Sequence, residues 1–289
     1  MKLIKPSFEI WNQPAGLEGV YKQIERVGRV CYKSEDKITE DSAKPFVDRM
    51  IKSGHGAMLE HGTVYLLIPY EKAIDAIGDD WVHEQYAYNP YSVVAVYDNN
   101  YYITTNFRVL VENNWLDDLK YICEPTKYHE KRVTVRFICD RGVSHEFVRH
   151  RVFSFAQEST RYCNYSKDKF GNEITFIKPC FLDDSKLALY GPYHTVIRDK
   201  SPESIFIASL NNAEKDYIDL IDLGWKPQEA RAVLPNALKT ELVVTGFASD
   251  WNHFFDLRAK GTTGAPHPQA KELAEPLMKE FIARKYINN

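Results

Sequence analysis

Fourteen consecutive residues, Arg149-His150-Arg151-Val152-Phe153-Ser154-Phe155-Ala156-Gln157-Glu158-Ser159-Thr160-Arg161-Tyr162, concentrate three arginines, a histidine, two serines, a glutamine and a tyrosine. Most of these are fixed cations or hydrogen-bond donors, the groups that a phosphate or another planar anion needs. The preceding run from Lys131 to Cys139 is β-branched and aromatic and reads as a strand. Gly142 is expected to turn the chain, and Ser144 to cap a short helix carrying Glu146, Arg149 and His150. A strand, a tight turn and a cationic helix make a platform for a bound nucleotide. A solvated basic helix face fits the same run, because spacing alone does not make arginines converge.

Other chemistries fit less well. His145-Glu146 followed by His150 has the ingredients of a zinc hydrolase helix, but that motif needs histidines four apart on one face. His150 lies five residues on, about 140° around a helix, so no metal site is expected. Ser154 and Ser159 lack the Gly-x-Ser-x-Gly elbow of a serine nucleophile. The five cysteines, Cys31, Cys123, Cys139, Cys163 and Cys180, show no C-x-x-C spacing and read as reduced thiols. Cys139 is expected in the core and Cys180 to pack at a strand end.

The elements that must position these groups can be read from periodicity. Residues 16–33 carry Leu17, Val20, Tyr21, Ile24, Val27 and Val30 at helical spacing. A second helix is expected after a cap at Thr39 or Asp41, with Gly54 as its stop. Val64–Ile68 reads as a buried strand. Glu71 to Trp81 reads as a helix, then Tyr91–Tyr97 and Tyr101–Thr105 as strands joined by a turn at Asp98-Asn99-Asn100, and Phe107–Glu112 as a helix. After the cationic run come a polar loop (165–172), a strand at Ile174–Ile177 and a helix over Ser204–Leu223. A short proline-bounded helix follows at Pro227–Leu234, and Arg231 on its otherwise apolar surface is expected to be buried with an anion nearby. Leu242–Phe247 reads as a strand, Asp250 as the cap of a helix leading to Arg258, and Pro268–Tyr286 as an amphipathic helix. No Gly-x-Gly-x-x-Gly follows a strand, which argues against a Rossmann module.

The chain has 289 residues, 44% hydrophobic and 27% charged, enough for a self-sufficient core in one or two domains. A net charge of −3 argues against a general nucleic-acid binder, which needs a basic field to displace counterions. Local cationic clusters in an acidic chain point instead to a small anionic ligand. No stretch approaches the roughly twenty apolar residues of a membrane span, so no membrane association and a cytoplasmic location are expected.

The pattern Arg149-His150-Arg151, seven residues, Ser159, with Arg161-Tyr162 behind it, resembles the signature of the flavin-dependent thymidylate synthases. Other elements agree. Glu60-His61-Gly62-Thr63 is similar to the family's flavin-pocket segment before the buried strand. Ala230-Arg231-Ala232-Val233-Leu234-Pro235 matches its Ala-Arg-x-x-Leu-Pro element, Leu257-Arg258 its late Leu-Arg pair, and His267 its Ala-His-x-Gln-like element after a small insertion at Lys260–Ala265. The likeness covers residues 16–68, 131–178 and 204–285; residues 70–130 look like an insertion between two strands that pair in the family. There are departures. Ala156-Gln157 stands where Asn-Glu is common, Phe247, Ser249 and His253 where an Asn, an Arg and an Asn are common, and Cys31 where a serine is common.

The resemblance implies a single α+β domain over residues 1–289, a twisted, mostly antiparallel sheet flanked by helices. It implies a homotetramer with active sites shared between subunits, and reductive methylation of dUMP to dTMP. The carbon would come from 5,10-methylenetetrahydrofolate and the hydride from FAD reduced by NADPH. By residue, it implies dUMP contacts from Glu146, Arg149, Ser159, Thr160, Arg161, Arg231 and Arg258. FAD contacts would come from His61, Thr63, Arg149, His150, Arg151, Val152, Gln157 and His253. Arg258 and Ser159 are the expected catalytic groups, with no covalent protein nucleophile. Two rivals use the same arginines: a non-enzymatic nucleotide- or RNA-binding module, and another uracil-directed flavoenzyme.

Overall fold

The computed structural model describes residues 1–74, 80–187 and 201–288. The chain opens with strands β1 (Lys2–Ile4) and β2 (Ser7–Trp11), then helix α1 (Gly16–Tyr32), which buries Val20, Ile24, Val27 and Val30 along one stripe. Helices α2 (Ala43–Lys52) and α3 (Gly56–Leu59) lead to β3 (Thr63–Pro69) and the short α4 (Tyr70–Ala73). Strands β4 (Val93–Tyr97) and β5 (Asn100–Asn106) and helix α5 (Phe107–Glu112) complete this part. Then come β6 (Arg132–Asp140), α6 (Arg141–Phe147), β7 (Ser154–Gln157), β8 (Thr175–Ile177) and α7 (Asp184–Leu187). The chain finishes with α8 (Pro202–Asp222), α9 (Pro227–Ala230), β9 (Lys239–Phe247), α10 (Ala248–Phe255) and α11 (Pro268–Ala283).

Among the described residues the strands form three sheets: antiparallel β2-β6-β9-β7, antiparallel β3-β5-β4, and a parallel pair β1-β8. The four-stranded sheet has two covered faces, and strand alternation decides which residue goes where. Val135, Phe137, Cys139, Leu242 and Val244 meet Trp251, Phe254, Phe255 and Phe281 of α10 and α11 in the main core. The opposite face sets Val243 and Ala156 against Trp11, Val27 and Val30. Gly246 on β9 has a packing reason: an added Cβ would lie 2.1 Å from the Phe153 ring. Among the described residues no helix is long and apolar enough to cross a membrane.

Several expectations change. Helix α6 begins at Arg141, not after Ser144, because Asp140 both ends β6 and caps the helix, its Oδ1 accepting from Val143 N at 2.8 Å. Ser144 lies inside the helix and donates to the Arg141 carbonyl at 2.9 Å. Arg149 and His150 therefore follow the helix end rather than ride on it. Ser42, not Thr39 or Asp41, precedes α2, and Phe247 rather than Asp250 precedes α10. The strands flanking residues 70–130 do not pair: β3 takes its partner β5 from within that block. The expected helix from Glu71 to Trp81 is seen at Tyr70–Ala73, and its residues 75–79 lie outside the described residues. Cys180 is exposed, not packed.

Candidate active site

The most constrained group is Arg258. It sits in a wide helical turn, Asp256–Lys260, that continues α10. Its Nη1 donates to Glu146 Oε2 at 2.7 Å, its Nη2 to the Glu146 carbonyl at 2.9 Å, and its Nε to His150 Nε2 at 3.1 Å. A guanidinium's rigid fork is spent here on holding one orientation. For Nε2 to accept, His150 must be neutral with its proton on Nδ1. Burial, then the nearby Arg258 and His253, push its pKa down to about 4, which keeps it so. The His253 ring lies 5.8 Å from that of His150, and Phe254 packs at 5.1 Å. Four predicted residues, Glu146, His150, His253 and Arg258, are thus brought together.

Beside them opens a cleft of about 880 Å³, whose walls include Arg151, Val152, Phe153, Phe247 and Ser249. Arg151 is exposed, and among the described residues its side chain has no partner. Arg132 lines this cleft and also a smaller cavity of about 210 Å³ that holds Gln13, Thr63 and Tyr65. Its Nη1 donates to the Glu60 carbonyl at 3.0 Å and to Thr63 Oγ1 at 3.4 Å. Burial lowers its pKa to about 10, against the pull of Tyr65 and Glu60.

The remaining predicted residues are placed elsewhere. Ser159 donates its backbone N–H to the Cys31 carbonyl at 2.9 Å, and Arg231 Nη1 donates to Thr160 Oγ1 at 3.1 Å. Arg149, Arg161 and Arg231 are exposed. A buried Arg231 calling for a counter-anion is therefore a correction: the 3₁₀ turn Arg231–Val233 that follows α9 leaves it at the surface, bonded to a hydroxyl. The Ser159–Arg161 and Arg231 group sits past the end of β7, while Arg151 and the Arg258 cluster flank its start. The four residues of β7 that lie between them in sequence span roughly 13 Å of extended chain.

His61 is fully buried on the α1 face of the sheet, its Nδ1 2.8 Å from Thr245 Oγ1. His150 packs with Phe153 and Phe254 on the other face, so the sheet separates these two histidines. Burial, with Arg132 nearby, pushes the His61 pKa down to about 3. Thr63 exchanges two backbone hydrogen bonds with the Gln13 amide, both 2.8 Å. Gln157 turns its amide to Ser144 Oγ at 2.8 Å and Thr240 Oγ1 at 3.2 Å, on the α6 side.

One charged group escaped the sequence reading. Glu241 accepts from Lys33 (2.8 Å), Lys239 (2.7 Å) and Arg136 (2.7 Å), and Lys239 also reaches Glu158 at 2.8 Å. Burial pushes the Glu241 carboxyl up, but the two lysines outweigh it and hold its pKa at about 2. The sequence hint was Glu241 itself, a carboxylate directly before the apolar run Leu242–Phe247, which the structure takes into β9.

A flavin dinucleotide suits the cleft on physical grounds. Its volume falls within the range of roughly 300–1,000 Å³ usual for ligand pockets. Among the described residues Arg151 is a cation without a carboxylate partner, and Arg132 is partly desolvated, as a diphosphate requires; Glu60, Glu112 and Asp250 also line the cleft, the first two tied to Arg108. Val152, Phe153 and Phe247 supply apolar wall for a planar ring. No cluster of three His, Cys, Asp or Glu side chains able to hold a metal occurs among the described residues.

Comparison with known proteins supports the family resemblance. A flavin-dependent thymidylate synthase of Pyrococcus furiosus is 32% identical over 149 residues, 52% of this chain and 53% of its own. One from Geobacter sulfurreducens is 30% identical over 118 residues, 41% and 43% of the two chains. The aligned stretches thus span about half the length of these relatives. One from Corynebacterium aurimucosum aligns over 272 residues at 24% identity, 93% of this chain and 78% of its own. A solved UMP/dUMP methylase of Streptomyces cacaoi overlays 98% of this chain and 93% of its own, but with a TM-score of 0.43 and 17% identity. Residues 129–284, more than half of the chain, match the family described as thymidylate synthase complementing protein. The chain belongs to that family.

Proposed function

We propose that the chain is a flavin-dependent thymidylate synthase, methylating dUMP to dTMP with 5,10-methylenetetrahydrofolate as carbon donor and NADPH as reductant. The carrying observation is the return of Arg258 to Glu146 and His150, 112 and 108 residues earlier in sequence, in one hydrogen-bonded cluster beside the cleft lined by Arg151 and Arg132.

In this reading Arg258 and Glu146 address the pyrimidine of dUMP. Arg258, pre-oriented by Glu146 and a neutral His150, faces a uracil carbonyl and stabilises the enolate-like charge that builds as carbon 5 attacks the methylene donor. Arg149, Arg161 and Arg231 take the phosphate and base edge, with Ser159 and Thr160 adding hydroxyls. FAD, when bound, supplies the hydride. Arg151 and Val152 hold it from the cleft wall, with Arg149, His150 and His253 beside them. Thr63 supports that wall through Arg132, whereas His61 and Gln157 bond to Thr245 and Ser144, outside the cleft lining.

No protein nucleophile is used. Burial pushes the Cys31 thiol up to about 11 and Cys163 up to about 12, away from the reactive thiolate. The separation of Ser159–Arg161 and Arg231 from Arg258 along β7 supports a homotetramer in which the two groups come from different subunits. A cytoplasmic location accompanies this metabolic role. The test is direct: incubate the protein with dUMP, methylenetetrahydrofolate, NADPH and FAD and measure dTMP by chromatography. Flavin-dependent dTMP supports the reading; none, from folded protein that binds dUMP, overturns it.

A further inference from the structure

The family match begins at residue 129, yet part of the cleft wall comes from well before it. Asn89 to Val93, together with Asn106, Arg108 and Val109, lines the same 880 Å³ space as Arg151, Val152 and Phe247. Within this segment Tyr91 stands out. Its backbone is fixed: its N–H donates to Asn89 Oδ1 at 2.9 Å, and its carbonyl accepts from Thr105 Oγ1 at 3.4 Å. Thr105 is fully buried on β5, and Ser92 Oγ donates to its hydroxyl at 2.8 Å. The side chain, by contrast, is 63% exposed at the cleft and stacks on no other ring among the described residues. A large aromatic ring on an anchored backbone, left open inside a concave site, is preorganised to take a flat partner at small entropic cost.

We infer that Tyr91, outside the family-matched region, packs its ring against a planar ring of the flavin dinucleotide, whose diphosphate lies toward Arg151 and Arg132. This rests on the function proposed above. It gives the block of residues 70–130 a role: β4 and β5 carry an extra wall for the cofactor cleft. Arg108 braces that wall, tied to Glu60 at 2.6 Å and to Glu112 at 2.7 Å.

Two rings of the dinucleotide could be the partner, and the experiment separates them. Full-length wild type, Tyr91→Ala and Tyr91→Phe are titrated with FAD and with FMN by flavin fluorescence, with dUMP affinity measured by calorimetry and folding by thermal melt. Tyr91→Ala should weaken FAD about tenfold, the scale of one ring contact, while Tyr91→Phe stays within about twofold. Loss for both flavins places the tyrosine on the isoalloxazine; loss for FAD alone places it on the adenine. Affinities for dUMP and melting temperatures should not move, since the side chain is exposed. Folded Tyr91→Ala that binds both flavins as tightly as wild type overturns the inference. Wild type that binds no flavin overturns the functional reading itself, and is recognised before any variant is examined.

Discussion

Arg258 bonds both the side-chain carboxylate and the backbone carbonyl of Glu146, at 2.7 and 2.9 Å, across 112 residues of sequence. The contact joins the end of α6 to the turn after α10, two elements packed on the same aromatic core. It fixes a cation in place before any ligand arrives.

Removing that cation should be costly to chemistry and mild for folding. Arg258→Ala should lower kcat for dTMP formation by about 10²- to 10³-fold, the usual loss for one preorganised charge-stabilising donor. Arg258→Lys should recover little, because an ammonium cannot reach Glu146 and His150 in one fork. Steady-state kinetics together with a melting curve checks this; an Arg258→Lys enzyme of near wild-type kcat contradicts it.

Acid should destabilise the fold through buried histidines. The His61 and His150 pKa values fall from about 6.5 in the unfolded chain to about 3 and about 4 when folded. Between those values the unfolded chain binds more protons, so stability is full above pH ~6.5 and declines as pH falls toward 4 and then 3. Urea unfolding from pH 7 to pH 4.5 should show this slope, and His61→Gln should flatten it. An unchanged slope in that variant would falsify the assignment to His61.

The Glu241 cluster makes a separate stability prediction. Glu241→Gln leaves Lys33, Lys239 and Arg136 without their shared carboxylate and should cost about 3 kcal/mol, the scale for breaking a buried pair from one side. Because its folded pKa is depressed to about 2, the wild-type contribution is present above pH ~4.5 and lost as pH falls through 2. Chemical denaturation at pH 7 measures the first part; a change below ~0.5 kcal/mol would show the cluster to be neutral.

No cysteine should carry the reaction. Cys180→Ala, at an exposed site, should leave kcat within about twofold. Intact-protein mass spectrometry during turnover should show no added nucleotide. A mass increase that maps to any cysteine would replace this mechanism with a covalent one.

Much of the scaffold was legible because local signals agreed with the fold. The apolar stripe of α1 and the Asp98-Asn99 turn, both residues at positive φ (48° and 56°), fall where spacing and turn chemistry put them. The start of α6 was misread because Asp140 serves two elements at once, ending a strand and capping a helix. A strand residue gives no outward sign of the second duty. Arg231 was misjudged because an apolar helix implied burial, while its own 3₁₀ turn (Arg231–Val233) carries it to the surface. The site's long-range pairings were open only to family likeness. Nothing in residues 141–162 says that Arg258 will return to Glu146, or that Lys239 will meet Glu158. The cleft wall at Tyr91 was hidden for the same reason, since residues 70–130 carry no matching motif.

The most direct test of the central claim is anaerobic reduction of the FAD-loaded protein by NADPH, followed at the flavin absorption band with and without dUMP. Flavin that bleaches faster with dUMP, and reoxidises with dTMP formation once methylenetetrahydrofolate is added, is the predicted result. Bound flavin that reduces but yields no dTMP, or protein that takes up no flavin at any concentration, would contradict it and leave the arginines as a plain nucleotide site.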